Sequence, residues 1–138
     1  EGSQNVIDKL RNRAVTRLQS IPRRARRRLG GKPVRSPDLS LRSTAGYRIA
    51  ATLHLPEGDG PHPAVLLCPG TDAPGSVFLG WTEPLNAAEI AASGVAVLRF
   101  DPAGRGESLG AEDYGGLEHQ DNVRVALRAL LAHSAVDG

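Results

Sequence analysis

The stretch Val95 to Gly110, VAVLRFDPAGRGESLG, limits the fold more than any other part of this 138-residue chain. Val95–Phe100 is apolar but for Arg99, the form a strand takes when both faces of its sheet are covered. It stops at Asp101-Pro102 and opens into a loop with glycines at 104, 106 and 110. A second apolar run, Ala64–Cys68, is stopped by Pro69-Gly70. Between the two, Thr82 suits a helix N-cap with Pro84 in the first turn. Leu85, Ala88 and Ala92 share one face of that helix, and Gly94 is placed to end it. Strand, helix and strand over residues 64–100 make one β-α-β unit with a right-handed crossover.

The elements on either side fit the same sheet. Leu39 and Leu41, then Tyr47, Ile49, Ala51, Leu53 and Leu55, alternate as a half-buried hairpin with Ser43–Gly46 as its turn. Pro56–Pro63, with two glycines and three prolines, is a connecting loop. Val123, Leu127, Leu130 and Leu131 predict a last helix over Gln120–His133, with Asp121 supplying negative charge near its start. A helix that leaves a parallel strand carries the chain back for another. No such strand is legible before Gly138, so the domain is expected to be completed by a downstream segment or a second chain.

Two chemistries compete for the glycine loop. Gly106-Glu107-Ser108-Leu109-Gly110 spells G-x-S-x-G, the form of a serine nucleophile elbow. An elbow needs a strand running straight into the first glycine and a helix starting just after the serine. Here Asp101 to Arg105 intervene before it, and Ala-Glu-Asp-Tyr-Gly-Gly follows, so Ser108 reads as a decoy. Gly104-x-Gly106 hints at a dinucleotide loop, but the next glycine comes at 110 and no helix start follows to take a pyrophosphate.

Composition narrows the classes further. One cysteine excludes an internal disulfide, and the chain has no C-x-x-C or H-x-x-x-H spacing, so neither metal nor cofactor is expected. No apolar stretch approaches the ~20 residues of a membrane span, no signal peptide is visible, and the compartment stays open. With Glu1 first and no methionine anywhere, a processed or tagged start is expected. The net charge of +2 hides a division: residues 1–42 hold twelve Lys/Arg against three acids, and residues 43–138 hold five against twelve. Within a basic arm over 1–35, Ile7, Leu10, Ala14, Leu18 and Ile21 form one helical stripe, followed by Arg23-Arg24-Ala25-Arg26-Arg27-Arg28. Such an arm either packs its narrow stripe on the acidic domain or a partner, or touches an anionic surface. It contains no aromatic residue to stack on bases or anchor in a lipid interface.

From Leu39 to Gly138 the order of elements resembles the N-terminal half of an α/β-hydrolase, nearest the serine esterase and acyl-peptidase-like branch. The resemblance is carried by GYRIAATLHLPEG, by AVLLCPG, by DPAGRGES, and by DNVRVALRALLAHSAVDG before the expected next strand. It implies an antiparallel hairpin leading into a parallel sheet flanked by helices, with the basic arm in front and the hydrolase part over 36–138. It also implies that the true elbow, acid and histidine lie beyond Gly138, in a cleaved or split enzyme or a longer one. The oxyanion hole of this family takes one N–H from the loop after the third strand. The matching position is Thr71, with Gly70 allowing close approach, Asp72 next in line, and Pro69 where the family often has His. One such donor contributes roughly 3 kcal/mol. Asp101, Gly104, Gly106 and Ser108 would then shape the site without attacking substrate.

The remaining candidates have plainer readings. Cys68, at the end of an apolar strand, reads as an inert core thiol. His54, His62, His119 and His133 share no motif and read as structural or solvated; Asp101 reads as a brace for the glycine loop. Phe78 and Trp81 either line an acyl pocket or cover the core edge. The leading expectation is part of a serine hydrolase acting on a small ester or amide through an acyl-enzyme. The alternative is a non-enzymatic module that binds a partner or an anionic surface through its basic arm.

Overall fold

The computed structural model describes residues 34–70, 72–80 and 85–138. The basic arm up to Pro33, together with Thr71, Trp81, Thr82 and Pro84, lies outside the described residues. Four strands form one mixed sheet: β1 (Asp38–Arg42), β2 (Arg48–His54), β3 (Ala64–Leu67) and β4 (Ala96–Phe100), in the order β1-β2-β4-β3. The hairpin pairs Leu41 with Ile49 and Leu39 with Ala51, the register its alternation requires. Gly46 takes φ +93° at the turn, and its N–H reaches the Ser43 carbonyl at 3.0 Å. β4 runs antiparallel to β2 and parallel to β3, with Val65 opposite Val97 and Leu66 opposite Leu98.

Among the described residues, a 3-10 turn (Gly75–Leu79) and two helices, α1 (Ala87–Ala92) and α2 (Leu117–Leu131), accompany the sheet. Each face of the sheet carries its own core. Ile49, Leu53, Leu98 and Phe100 pack with Ala126 and Leu130 of α2, while Leu67 and Val97 pack with Ala87, Ile90 and Ala91 of α1. Neighbours Val97 and Leu98 point to opposite faces and are both fully buried, which explains the unbroken apolar run of β4. Each such side chain contributes roughly 1.5–3 kcal/mol by leaving water.

Several expectations are corrected. β3 ends at Leu67 and is only half covered, with Val65 37% exposed, because β4 flanks it on one side alone as a full strand. α1 starts at Ala87, capped by the Asn86 side chain, which accepts from the N–H groups of Ala88 (3.0 Å) and Glu89 (3.2 Å). Its buried face is Ala87, Ile90 and Ala91, whereas Ala88 and Ala92 are exposed. α2 begins three residues before the expected Gln120 and buries His119, Asn122, Ala126 and Leu130; Leu127 and Leu131 face solvent. Two of those four buried residues are polar, so an apolar stripe alone could not find the face. The chain also does return to the sheet after α2: Val136 forms a parallel bridge with His62, and Asp137 N–H reaches the His62 carbonyl at 2.8 Å. Pro63, the next residue, turns its carbonyl to Ala96 of β4, so His62 faces the opposite edge.

Candidate functional site

The loops that leave the C-terminal ends of β3 and β4 meet around a cavity of about 290 Å³. Cys68, Gly70, Phe100, Tyr114, His119 and Val123 are among its lining. In parallel sheets this end is where ligands bind, because strand ends and helix starts converge there.

The β4 loop is held by its own polar side chains. Asp101 accepts from the Gly75 N–H at 2.7 Å with one carboxylate oxygen and from the Glu107 N–H at 2.9 Å with the other. Gly106 takes φ +50° directly over that carboxylate, so a Cβ there would collide with it. Ser108 is buried; its hydroxyl donates to the Asp101 carbonyl at 2.5 Å and accepts from the Ala50 N–H at 2.8 Å. Both of its hydrogen-bonding roles therefore go to backbone, tying the loop to β2. Gly104, at φ +75°, packs against the Glu112 backbone.

Arg105 joins the two loops, and nothing in the sequence singles it out. Only 9% exposed, it donates from Nε (2.5 Å) and Nη2 (2.9 Å) to the two Glu112 carboxylate oxygens, and from Nη1 to the Gly70 (2.7 Å) and Ala73 (3.3 Å) carbonyls. The hydrogen bond from Arg105 holds the Glu112 carboxyl down to about 2, and the same bond pushes the guanidinium pKa up. Asn122, fully buried on α2, accepts from the Ala103 N–H at 2.7 Å and donates to the Tyr47 hydroxyl at 2.8 Å, which donates to Glu118 at 2.7 Å.

Among the described residues, Glu112, Asp113 and His119 bring ligand-type atoms within 4.8 Å of one another. Each atom already has a partner. Glu112 is held by Arg105 and by the Tyr114 N–H, and Asp113 caps α2 by accepting from the N–H groups of Glu118 (2.7 Å) and His119 (3.3 Å). His119 Nδ1 accepts from the Gly115 N–H at 3.0 Å, so its proton sits on Nε2, 3.0 Å from the Ala103 carbonyl.

Ser36 and His54 form a Ser–His pair, Oγ to Nδ1 at 2.9 Å. Its polarity is wrong for nucleophile activation. Arg99 Nε donates to His54 Nε2 at 3.0 Å, so Nδ1 carries the ring proton and donates to Ser36 instead of accepting from it. Burial first, then the Arg99 charge, lowers the His54 pKa; Asp38 pulls weakly the other way.

Thr71 and Trp81, expected at the site, lie outside the described residues, and Asp72 is exposed. Phe78 packs on the α1-side core and is not among the cavity lining. Cys68 is a correction: it is exposed at the cavity and not a core thiol. Though open to solvent, it lies close enough to packed neighbours that desolvation pushes its thiol pKa up. His62 and His133 serve the return of the chain to the sheet, through the His62–Val136 bridge and the Ala135 N–H on His133 Nδ1 at 3.2 Å. Asp121 lies in the second turn of α2 and accepts from Thr44 N–H (3.0 Å) and Oγ1 (2.5 Å), pinning the hairpin turn.

A hairpin strand beside two parallel strands in the order β1-β2-β4-β3, helices on both faces and the loop DPAGRGES at the end of β4 are now all in place. Solved structures share this arrangement. The chain is similar to DcsB, solved in complex with its substrate analogue (TM-score 0.61, 18% identity, 75% of this chain and 34% of that one). It is similar to the α/β hydrolase GrgF from Penicillium sp. sh18 (TM-score 0.59, 21% identity, 72% and 33%). It is also similar to XC6422 from Xanthomonas campestris, a serine hydrolase without a lid (TM-score 0.55, 24% identity, 77% and 49%).

The fold is that of the α/β-hydrolases. The chain spans between a third and a half of the length of these three structures. No protein-family model and no curated protein matches it. No helix among the described residues is long and apolar enough to cross a membrane.

Proposed function

We propose that this chain is the front part of a serine hydrolase that cleaves a small ester or amide through an acyl-enzyme. The supporting observation is the coupling of the β3 loop to the glycine loop through Arg105, at the ligand-binding end of an α/β-hydrolase sheet. In this reading the peptide after Gly70 offers its N–H, that of Thr71, to the developing oxyanion. Asp101, Gly104, Gly106 and Ser108 hold the opposite wall. The nucleophile, acid and general base come from a further segment or a second chain, beside the edge where Val136 pairs. That assignment is supported by the use of Ser108 and His119 for backbone bonds and by the reversed polarity of Ser36–His54. The esterase and hydrolase names of the fold neighbours agree with it.

The test is turnover of a p-nitrophenyl ester by the 138-residue chain alone and by the full-length polypeptide, with fluorophosphonate labelling of both. Activity and label on a serine outside residues 1–138 are expected. An adduct on Ser108, or an inert full-length protein, overturns the reading. A non-enzymatic module would instead show binding to acidic vesicles or DNA that weakens steeply with salt, as the twelve Lys/Arg of residues 1–42 would require.

A further inference from the structure

Tyr114 is the one non-glycine residue at positive φ among the described residues, at +51°. A bulky L-residue is disfavoured there, and a strained residue persists only when its surroundings fix it. They do. The Tyr114 N–H is held by Glu112 Oε1 at 2.8 Å, Glu112 is gripped by Arg105, and the Gly115 N–H is held by His119. The reward is not burial, because Tyr114 is 71% exposed at the rim of the cavity. The left-handed backbone here leaves a mostly exposed aromatic residue among the cavity lining.

The walls below the ring are largely apolar, with Cys68, Pro69, Phe100, Pro102 and Val123 among them. Their charged neighbours are committed elsewhere. The Arg105 donors go to Glu112, Gly70 and Ala73, and the His119 ring goes to Ala103 and Gly115. An entering carboxylate would lose water and gain no free counter-charge. The volume, about 290 Å³, accommodates a single aromatic ring, since a dry cavity of roughly 150 Å³ already holds benzene.

We infer that the cavity binds an uncharged apolar group the size of one aromatic ring, with Tyr114 as the residue that covers it. The inference rests on the hydrolase reading only in naming that group as part of an ester or amide substrate; the binding itself requires no catalysis.

Cys68 is the single cysteine of these 138 residues and lines the cavity, so alkylation read by mass spectrometry on the peptide that carries Cys68 reports occupancy. The probe is acetophenone, an uncharged aryl ketone, with benzoate as the charged counterpart and iodoacetamide as the reagent, on the full-length chain. Acetophenone is expected to slow Cys68 alkylation at least threefold, and benzoate to leave it unchanged. Tyr114→Gly should keep or raise the thermal midpoint, since glycine adopts +51° freely, yet raise the half-protecting acetophenone concentration about fivefold or more. No protection by acetophenone, equal protection by benzoate, or undiminished protection in Tyr114→Gly overturns the inference. So does a clear fall in the midpoint of Tyr114→Gly, which would mark Tyr114 as a packing residue. Protection in a full-length protein that hydrolyses no ester supports this inference and overturns only the hydrolase reading; hydrolysis without protection does the reverse.

Discussion

The Arg105 guanidinium donates to the Gly70 carbonyl over 2.7 Å while it grips both carboxylate oxygens of Glu112. Residues 35 positions apart are thereby fixed to each other at the mouth of the cavity. One buried cation sets the spacing between the loop after β3 and the loop after β4.

Replacing Arg105 should therefore loosen both loops. Arg105→Ala takes a charged donor from the Glu112 carboxylate and from two backbone carbonyls, and the thermal midpoint is expected to fall by roughly 5–10 °C. Arg105→Lys should recover only part of that, because a point charge cannot serve a carboxylate and two carbonyls in one plane. Differential scanning calorimetry checks the order: wild type, then Lys, then Ala.

Ser108→Ala removes the hydroxyl that accepts from the Ala50 N–H and donates to the Asp101 carbonyl. A buried amide left unpaired costs roughly 1–3 kcal/mol, so urea unfolding should show a loss in that range. Fluorophosphonate labelling of the full-length protein should persist in this variant. Labelling abolished with stability unchanged would reverse the reading of Ser108.

Glycines should divide by environment. At Gly75 a Cβ would meet the backbone of Phe100, so Gly75→Ala is expected to cost roughly 1–3 kcal/mol or more from overpacking. Gly58, at φ +97° with nothing within 4 Å of its would-be Cβ, should lose only the backbone preference, roughly 1–2 kcal/mol. Urea midpoints of the two alanine variants test the contrast.

Acid should act in two separate windows. His54 has its pKa lowered in the fold by burial and Arg99, so the unfolded chain binds more protons. Its contribution is complete above about 6.5 and is lost as pH falls through the lower folded value. Glu112 is held down to about 2 from 4.5, so its contribution is complete above 4.5 and is lost as pH falls toward 2. His54→Gln should flatten the stability profile between pH 7 and 5, and Glu112→Gln should flatten it below pH 4.5. Unfolding midpoints measured across pH 7 to 2 would show both limbs.

Much of the fold was legible from periodicity. The alternation of Leu39 and Leu41, then of Ile49 and Ala51, gave the hairpin, because a period of two keeps the apolar residues of each strand on one face; its register came from the structure. The apolar runs at 64 and 96 gave the parallel pair. The helices were less well placed. α1 is short and capped by Asn86, which competes on local sequence with Thr82, and α2 buries His119 and Asn122, which a search for apolar stripes passes over. Cys68 was misjudged because strand β3 stops one residue earlier and leaves it at a cavity edge.

By itself, then, the sequence determined the order of elements, the pairing of β1 with β2 and of β3 with β4, and the glycine loop that must follow Phe100. Those rest on side-chain periods of two and on turn chemistry, which act between near neighbours and so leave a local trace. Only the tertiary structure decided that Ser108 is a backbone strap, that Arg105 bridges to Gly70, that Asn122 joins α2 to Ala103, and that Tyr114 stands strained over the cavity. Each of those depends on which polar atoms meet once distant segments pack. A hydrogen bond is fixed by a few tenths of an ångström and an angle, and no periodicity in the chain encodes either.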